Sequence, residues 1–112
     1  MWSVVKLKKG LSRTCYKFFS CLSNPTRLAT IEKLIEKPMS VNEIANALGE
    51  EQSMISHNLK PLLECNFITS NKLGKKRFYT LNTETIGALL AIVKNHAKKY
   101  CLKGGNCLIK GD

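Results

Sequence analysis

Gln52, Ser53, Ser56, His57 and Lys60 fall within about 140° of arc if residues 52–65 are helical, at 100° per residue. Ile55, Leu59, Leu62 and Cys65 take the other side. An exposed helix face usually carries charge, but this one is built mostly of uncharged hydrogen-bonding groups. Such groups match base edges: glutamine pairs bidentately with adenine, lysine with guanine, and serine with bases or phosphates. Each good bidentate pair is worth about 1 to 3 kcal/mol of discrimination. A bland solvated face is the alternative. A second set, Lys72, Lys75, Lys76 and Arg77, surrounds a glycine turn and suits phosphates or a minor groove; the bland alternative is a lysine-rich tip kept in water. Thiol and imidazole chemistry is the third resource, in Cys15, Cys21, Cys65, Cys101, Cys107, His57 and His96.

Five helices and a hairpin can position these groups. Leu11, Cys15, Phe18, Phe19 and Leu22 recur on one helical face. Asn24-Pro25 supplies a capping acceptor and a first-turn proline for a second helix with Leu28, Ile31, Leu34 and Ile35 buried. Ser40 and Glu43 form a capping-box pattern ahead of Ile44, Ala45 and Leu48, and Gly49 is a natural stop. Glu51 caps the polar-faced fourth helix, in which Pro61 predicts a kink. Strand-type runs Phe67–Lys72 and Lys76–Leu81 flank the loop Leu73-Gly74-Lys75. Asn82 or Thr83 then caps a last helix with Ile86, Leu89, Leu90, Val93, Ala97, Tyr100 and Cys101 on one stripe. Short helix, tight turn, polar-faced helix and basic hairpin make a mainly α winged helix-turn-helix.

Length and charge agree. One hundred and twelve residues suit a single domain, residues 1–112, with a basic arm at 1–10 and a flexible tail at 104–112. The net charge of +10 is uneven: +5 over residues 1–23, −2 over 24–66 and +7 over 67–112, which favours an anionic partner. The longest apolar run, Ile86–Val93, is well short of the roughly 20 residues a bilayer requires, so no membrane partner is expected. Residues 1–10 lack the apolar core of a secretory signal, and an odd number of spread cysteines argues against a disulfide framework; both imply the cytoplasm and reduced thiols.

Residues 22–81 resemble the ArsR/SmtB family of winged-helix transcriptional repressors. The resemblance rests on Leu22-Ser23-Asn24-Pro25-Thr26-Arg27-Leu28, Glu43-Ile44-Ala45 with Leu48-Gly49, Gln52-Ser53-Met54-Ile55-Ser56 with Leu59-Lys60, and Arg77-Phe78-Tyr79-Thr80-Leu81. It implies a homodimeric repressor on double-stranded DNA, formed through the first and last helices. The dimer residues would be Leu11, Cys15, Phe18, Phe19, Ile86, Leu89, Leu90, Val93, Ala97 and Tyr100. Glu51 and Asn58 depart from the family's frequent serine and histidine at those places. The family's third-helix cysteine motif is absent, and its last-helix Asp/His/His/Glu pattern survives at most in His96.

No cofactor is required by this reading. A soft metal or metalloid effector would draw on Cys15 or Cys21 with Cys101 or Cys107 across a dimer, although cysteines on apolar stripes commonly serve as small hydrophobes. Other functions remain to be separated: an architectural protein coating DNA, a thiol-based redox sensor, and a protein-interaction module. An enzyme pairing cysteine with histidine is disfavoured, because no glycine-rich phosphate loop is present and His96 lies about 140° from Cys101 on the helix.

Overall fold

The structure, a computed structural model, describes residues 11–101; the basic arm, the tail and Cys107 lie outside them. The order is α1 (Leu11–Leu22), α2 (Pro25–Glu36), β1 (Met39–Ser40), α3 (Val41–Leu48), α4 (Gln52–Glu64), β2 (Ile68–Leu73) and β3 (Lys76–Leu81). A π-helical turn (Thr83–Gly87) and α5 (Ala88–Tyr100) follow. The single domain expected from length divides into two compact units, one ending at Leu81 and one beginning at Asn82.

The helix boundaries follow local chemistry. Asn24 Oδ1 accepts the Arg27 N–H at 3.0 Å, with Pro25 opening α2. Ser40 and Glu43 close a capping box, each side chain accepting from the other's backbone N–H at 3.3 and 3.0 Å. Gly49 ends α3 at φ 68, a left-handed conformation in which a side chain would be strained. Asn66 does the same for α4 at φ 61; its N–H reaches Leu63 O and the Phe67 N–H reaches Leu62 O, both at 3.0 Å. Phe67 and Leu62 are both buried, the apolar accompaniment of this kind of helix stop. Glu51 occupies the α4 cap position without a side-chain cap bond, so it acts there only as a favourable charge. Pro61 sits inside α4, which is one continuous element to Glu64.

The first unit's core combines Ile31 and Leu34 of α2, Ile44 and Ala45 of α3, and Ile55, Leu59 and Leu62 of α4 with Phe67, Ile68, Tyr79 and Leu81. Burying each large apolar side chain contributes about 1.5 to 3 kcal/mol. Two expectations fail in α2. Leu28 and Ile35 are exposed, whereas Thr30 is fully buried because its hydroxyl donates to Thr26 O at 2.8 Å and carries no unmet polarity inside. Cys65 is likewise exposed, since α4 has ended before it.

The sheet has strand order β1-β3-β2, all antiparallel. β1 has no counterpart in the sequence pattern, and two residues are too few to show an alternation; Met39 pairs with Tyr79 and Ser40 with Phe78. In the hairpin, Leu73 pairs with Lys76, leaving a two-residue loop rather than three. Gly74 alone in that loop has positive φ, 64°, the sign pattern of a type II′ turn, which matches strand twist.

In the second unit, the Ile86 and Gly87 N–H groups both reach Asn82 O, which widens the first turn beyond a regular α-helix. No side chain caps it. Ile86 is fully buried, whereas α5 itself contains no buried residue.

Candidate nucleic-acid interface

The five expected residues of α4, Gln52, Ser53, Ser56, His57 and Lys60, are all exposed, on its outer side. Ile55 and Leu59 anchor the opposite side at 0% and 2% exposure. α3 packs against α4, and α2 packs against both, which gives the helix a fixed backing.

Two residues outside the sequence-based set hold that helix. Asn58 is buried on α4; its Oδ1 accepts from Arg27 Nε at 3.1 Å and its Nδ2 donates to Met54 O at 3.0 Å. Arg27 Nη1 also donates to Cys21 O at 2.9 Å. One guanidinium on α2 therefore bonds both α4 and the end of α1. Asn58 stands at the edge of the apolar arc, where a polar residue is buried only if partnered, and that position was its one sequence signal. Met54 is a further addition: it is exposed beside the polar face, and its apolar atoms suit a thymine methyl.

Lys72, Lys75, Lys76 and Arg77 are all exposed on the hairpin. Lys72 lies directly opposite Arg77, a like-charge pair that weakens an isolated hairpin and is relieved by an anion. Arg77 Nη1 donates to Ser70 Oγ at 3.1 Å, which steers the guanidinium along the strand. A hollow of about 170 Å³ lined by Ser40, Val41, Asn42, Lys76 and Arg77 joins the start of α3 to the hairpin.

The expected thiol cluster spans two subunits and includes Cys107, which lies outside the described residues. Among the described residues, no group of three or more His, Cys, Asp or Glu side chains could hold a metal. Cys15 and Cys101 are half-buried and Cys21 is buried. The neighbour of Cys21 is Cys65 instead: burial, reinforced by Cys65, pushes the Cys21 thiol up to about 11, with Arg27 opposing. His96 lies against Tyr100, ring centres 5.0 Å apart. A hollow of about 390 Å³ along α1, lined by Cys15, Tyr16, Phe19, Ser20 and Ser23, contains a thiol but no histidine.

The expected dimer residues divide by exposure. Phe19, Val93 and Tyr100 are exposed, and Leu89, Leu90 and Ala97 are half-buried. Phe18 meets Phe67 edge-on at 4.9 Å, so part of its ring serves the chain's own core. Ile86 is a correction: fully buried, it has no surface to offer a partner. Exposed Tyr16 and Ile92, outside the expected set, add apolar surface to α1 and α5. The side chain of Leu11 lies outside the described part.

Helix, turn, outward polar helix and cationic hairpin, in that order, define a winged helix-turn-helix protein. Residues 24–70 match the family model described as bacterial regulatory protein, arsR family. The regulator NmtR of Mycobacterium tuberculosis is 32% identical over 69 residues, 62% of this chain and 58% of that protein, so this match spans less than two thirds of its length. The arsenical resistance operon repressor of Bacillus subtilis is 31% identical over 85 residues, 75% of this chain and 81% of that one. A homodimeric winged helix-turn-helix DNA-binding domain from Mycobacterium bovis superposes with a TM-score of 0.77 at 24% identity, covering 89% of this chain and 93% of that chain. The chain belongs to the arsR family.

Proposed function

We propose that this protein is a homodimeric, sequence-specific DNA-binding repressor of transcription. The observation that carries the reading is the exposed face of Gln52, Ser53, Ser56, His57 and Lys60, backed by a fixed core and flanked by a cationic hairpin. α4 enters the major groove, while Lys72, Lys75, Lys76 and Arg77 take phosphates or the minor groove beside it. The exposed apolar residues of α1 and α5 are the proposed contacts between subunits. No helix among the described residues is long and apolar enough to cross a membrane, and the proposed operator places the protein with DNA in the cytoplasm.

Selection of bound fragments from a random DNA pool at fixed salt tests this. Specific affinity should exceed non-specific affinity by about 10³ or more at physiological salt. A ratio near one would favour the architectural, coating protein. Absence of salt-sensitive DNA binding would favour a protein-interaction module.

For an effector, a soft metal or metalloid held by Cys15, Cys21, Cys101 and Cys107 is supported only by thiol chemistry and by a relative named for arsenical resistance. Arsenite or cadmium should shift operator affinity if these thiols assemble between subunits. Unchanged affinity with all thiols still titratable would dismiss it.

A further inference from the structure

The ends of α1 and α4 converge on one atom. The Pro61 carbonyl oxygen accepts the Cys65 N–H at 3.0 Å and lies 3.7 Å from Cys21 Sγ. Cys21 is the penultimate residue of α1, and Cys65 directly follows α4. The two side chains interact: after burial, Cys65 is the largest influence raising the Cys21 thiol. Their access differs, Cys21 being 8% exposed and Cys65 open to solvent.

We propose that Cys21 and Cys65 form a peroxide-oxidisable dithiol whose disulfide staples α1 to the C-terminal end of α4 and weakens operator binding. The regulatory half rests on the DNA-binding reading above; the chemistry does not. The exposed Cys65 sulfur attacks one oxygen of hydrogen peroxide, forming an S–O bond as the O–O bond breaks. The departing hydroxide takes the Cys65 proton and leaves as water. Cys21 sulfur then attacks the Cys65 sulfenic sulfur; an S–S bond forms, the S–O bond breaks, and hydroxide leaves with the Cys21 proton as a second water. Two thiols lose two electrons in total, and one peroxide gains them.

The division of access suits the sequence of steps. An exposed thiol meets the oxidant, and a sheltered neighbour captures the sulfenic acid before a second oxidation. A disulfide needs sulfurs about 2.05 Å apart, so bond formation draws the end of α4 toward α1. Arg27 already bridges the same two helices, bonded to both Cys21 O and Asn58 Oδ1. A shift at the staple therefore reaches the middle of α4 through this guanidinium.

The test uses the full chain, reduced and then treated with hydrogen peroxide, with remaining thiols blocked before digestion without reductant. A Cys21–Cys65 linked peptide, lighter by two hydrogens than its two parts, is expected. Operator affinity at fixed salt should fall about tenfold and return with dithiothreitol. Cys65→Ser, at an exposed position, should fold normally and lose both the link and the affinity change. Cys21→Ser should leave Cys65 as a sulfenic acid that dimedone captures. Absence of the linked peptide, or Cys65 joined to a different cysteine, overturns the dithiol. A linked protein with unchanged operator affinity overturns the regulation. Failure of the reduced protein to bind DNA would instead refute the proposed function, while the peptide mass still decides the dithiol.

Discussion

Helix α4 and the β2–β3 hairpin both face outward with polar side chains, but they are held in different ways. α4 is fixed from behind by Ile55, Leu59 and Leu62 and by the Arg27–Asn58 bond. The outer half of the hairpin, Lys72 through Arg77, is exposed throughout and is held by its backbone ladder and turn. A fixed hydrogen-bonding face suits reading, because donors and acceptors discriminate only at defined positions. A cationic ribbon suits gripping, because phosphate attraction tolerates displacement. In the proposed function, reading and gripping thus fall to regions that are held in different ways.

The largest effect should come from loosening the support of α4. Leu59→Ala should cost about 2 to 5 kcal/mol in denaturant unfolding, since it empties a filled site in the core. A cost below that range would mean that α4 is held no more firmly than the hairpin. Arg27→Met leaves Asn58 with an unmatched buried acceptor and should cost about 1 to 3 kcal/mol. Its second readout is the ratio of operator to non-specific affinity, which should fall if Arg27 positions the reading face and stay constant if it only stabilises.

Lys60→Ala should remove about 1 to 3 kcal/mol at one base pair of the operator and relax preference there, measured by binding to single-base operator variants. Lys75→Ala with Lys76→Ala should weaken all sequences alike. If each lysine meets one phosphate, the salt slope per dimer should fall by about 3.6 in magnitude, at 0.9 per contact. An interchange of these two patterns would reverse the assignment of reader and grip. Ser40→Ala, at the start of α3, should cost about 1 kcal/mol of stability with little change in base preference.

The outer face of α4 and the hairpin cations were legible in the sequence because both depend on local order. A 3.6-residue period separates Gln52 and Ser56 from Ile55 and Leu59, and a glycine between two strand-like runs places the lysines. Helix starts were equally plain, since Asn24 and Ser40 bond groups only three residues away. The departures occur where partners are remote. Leu28 and Thr30 exchanged expected burial because packing of α2 selected a different arc. Asn58 was visible as a polar residue near the core, but its partner Arg27 is 31 positions earlier.

Local pattern by itself determined the helices, the hairpin, the Asn24 and Ser40 caps and the polar surface of α4, because hydrogen bonds and amphipathic periods are settled among near neighbours. Tertiary structure alone decided that β1 joins β3, that Thr30 and not Leu28 is interior, and that Cys21 meets Cys65. These depend on which distant segments share a core. That choice is made by the packing of whole faces, and no spacing along the chain encodes it.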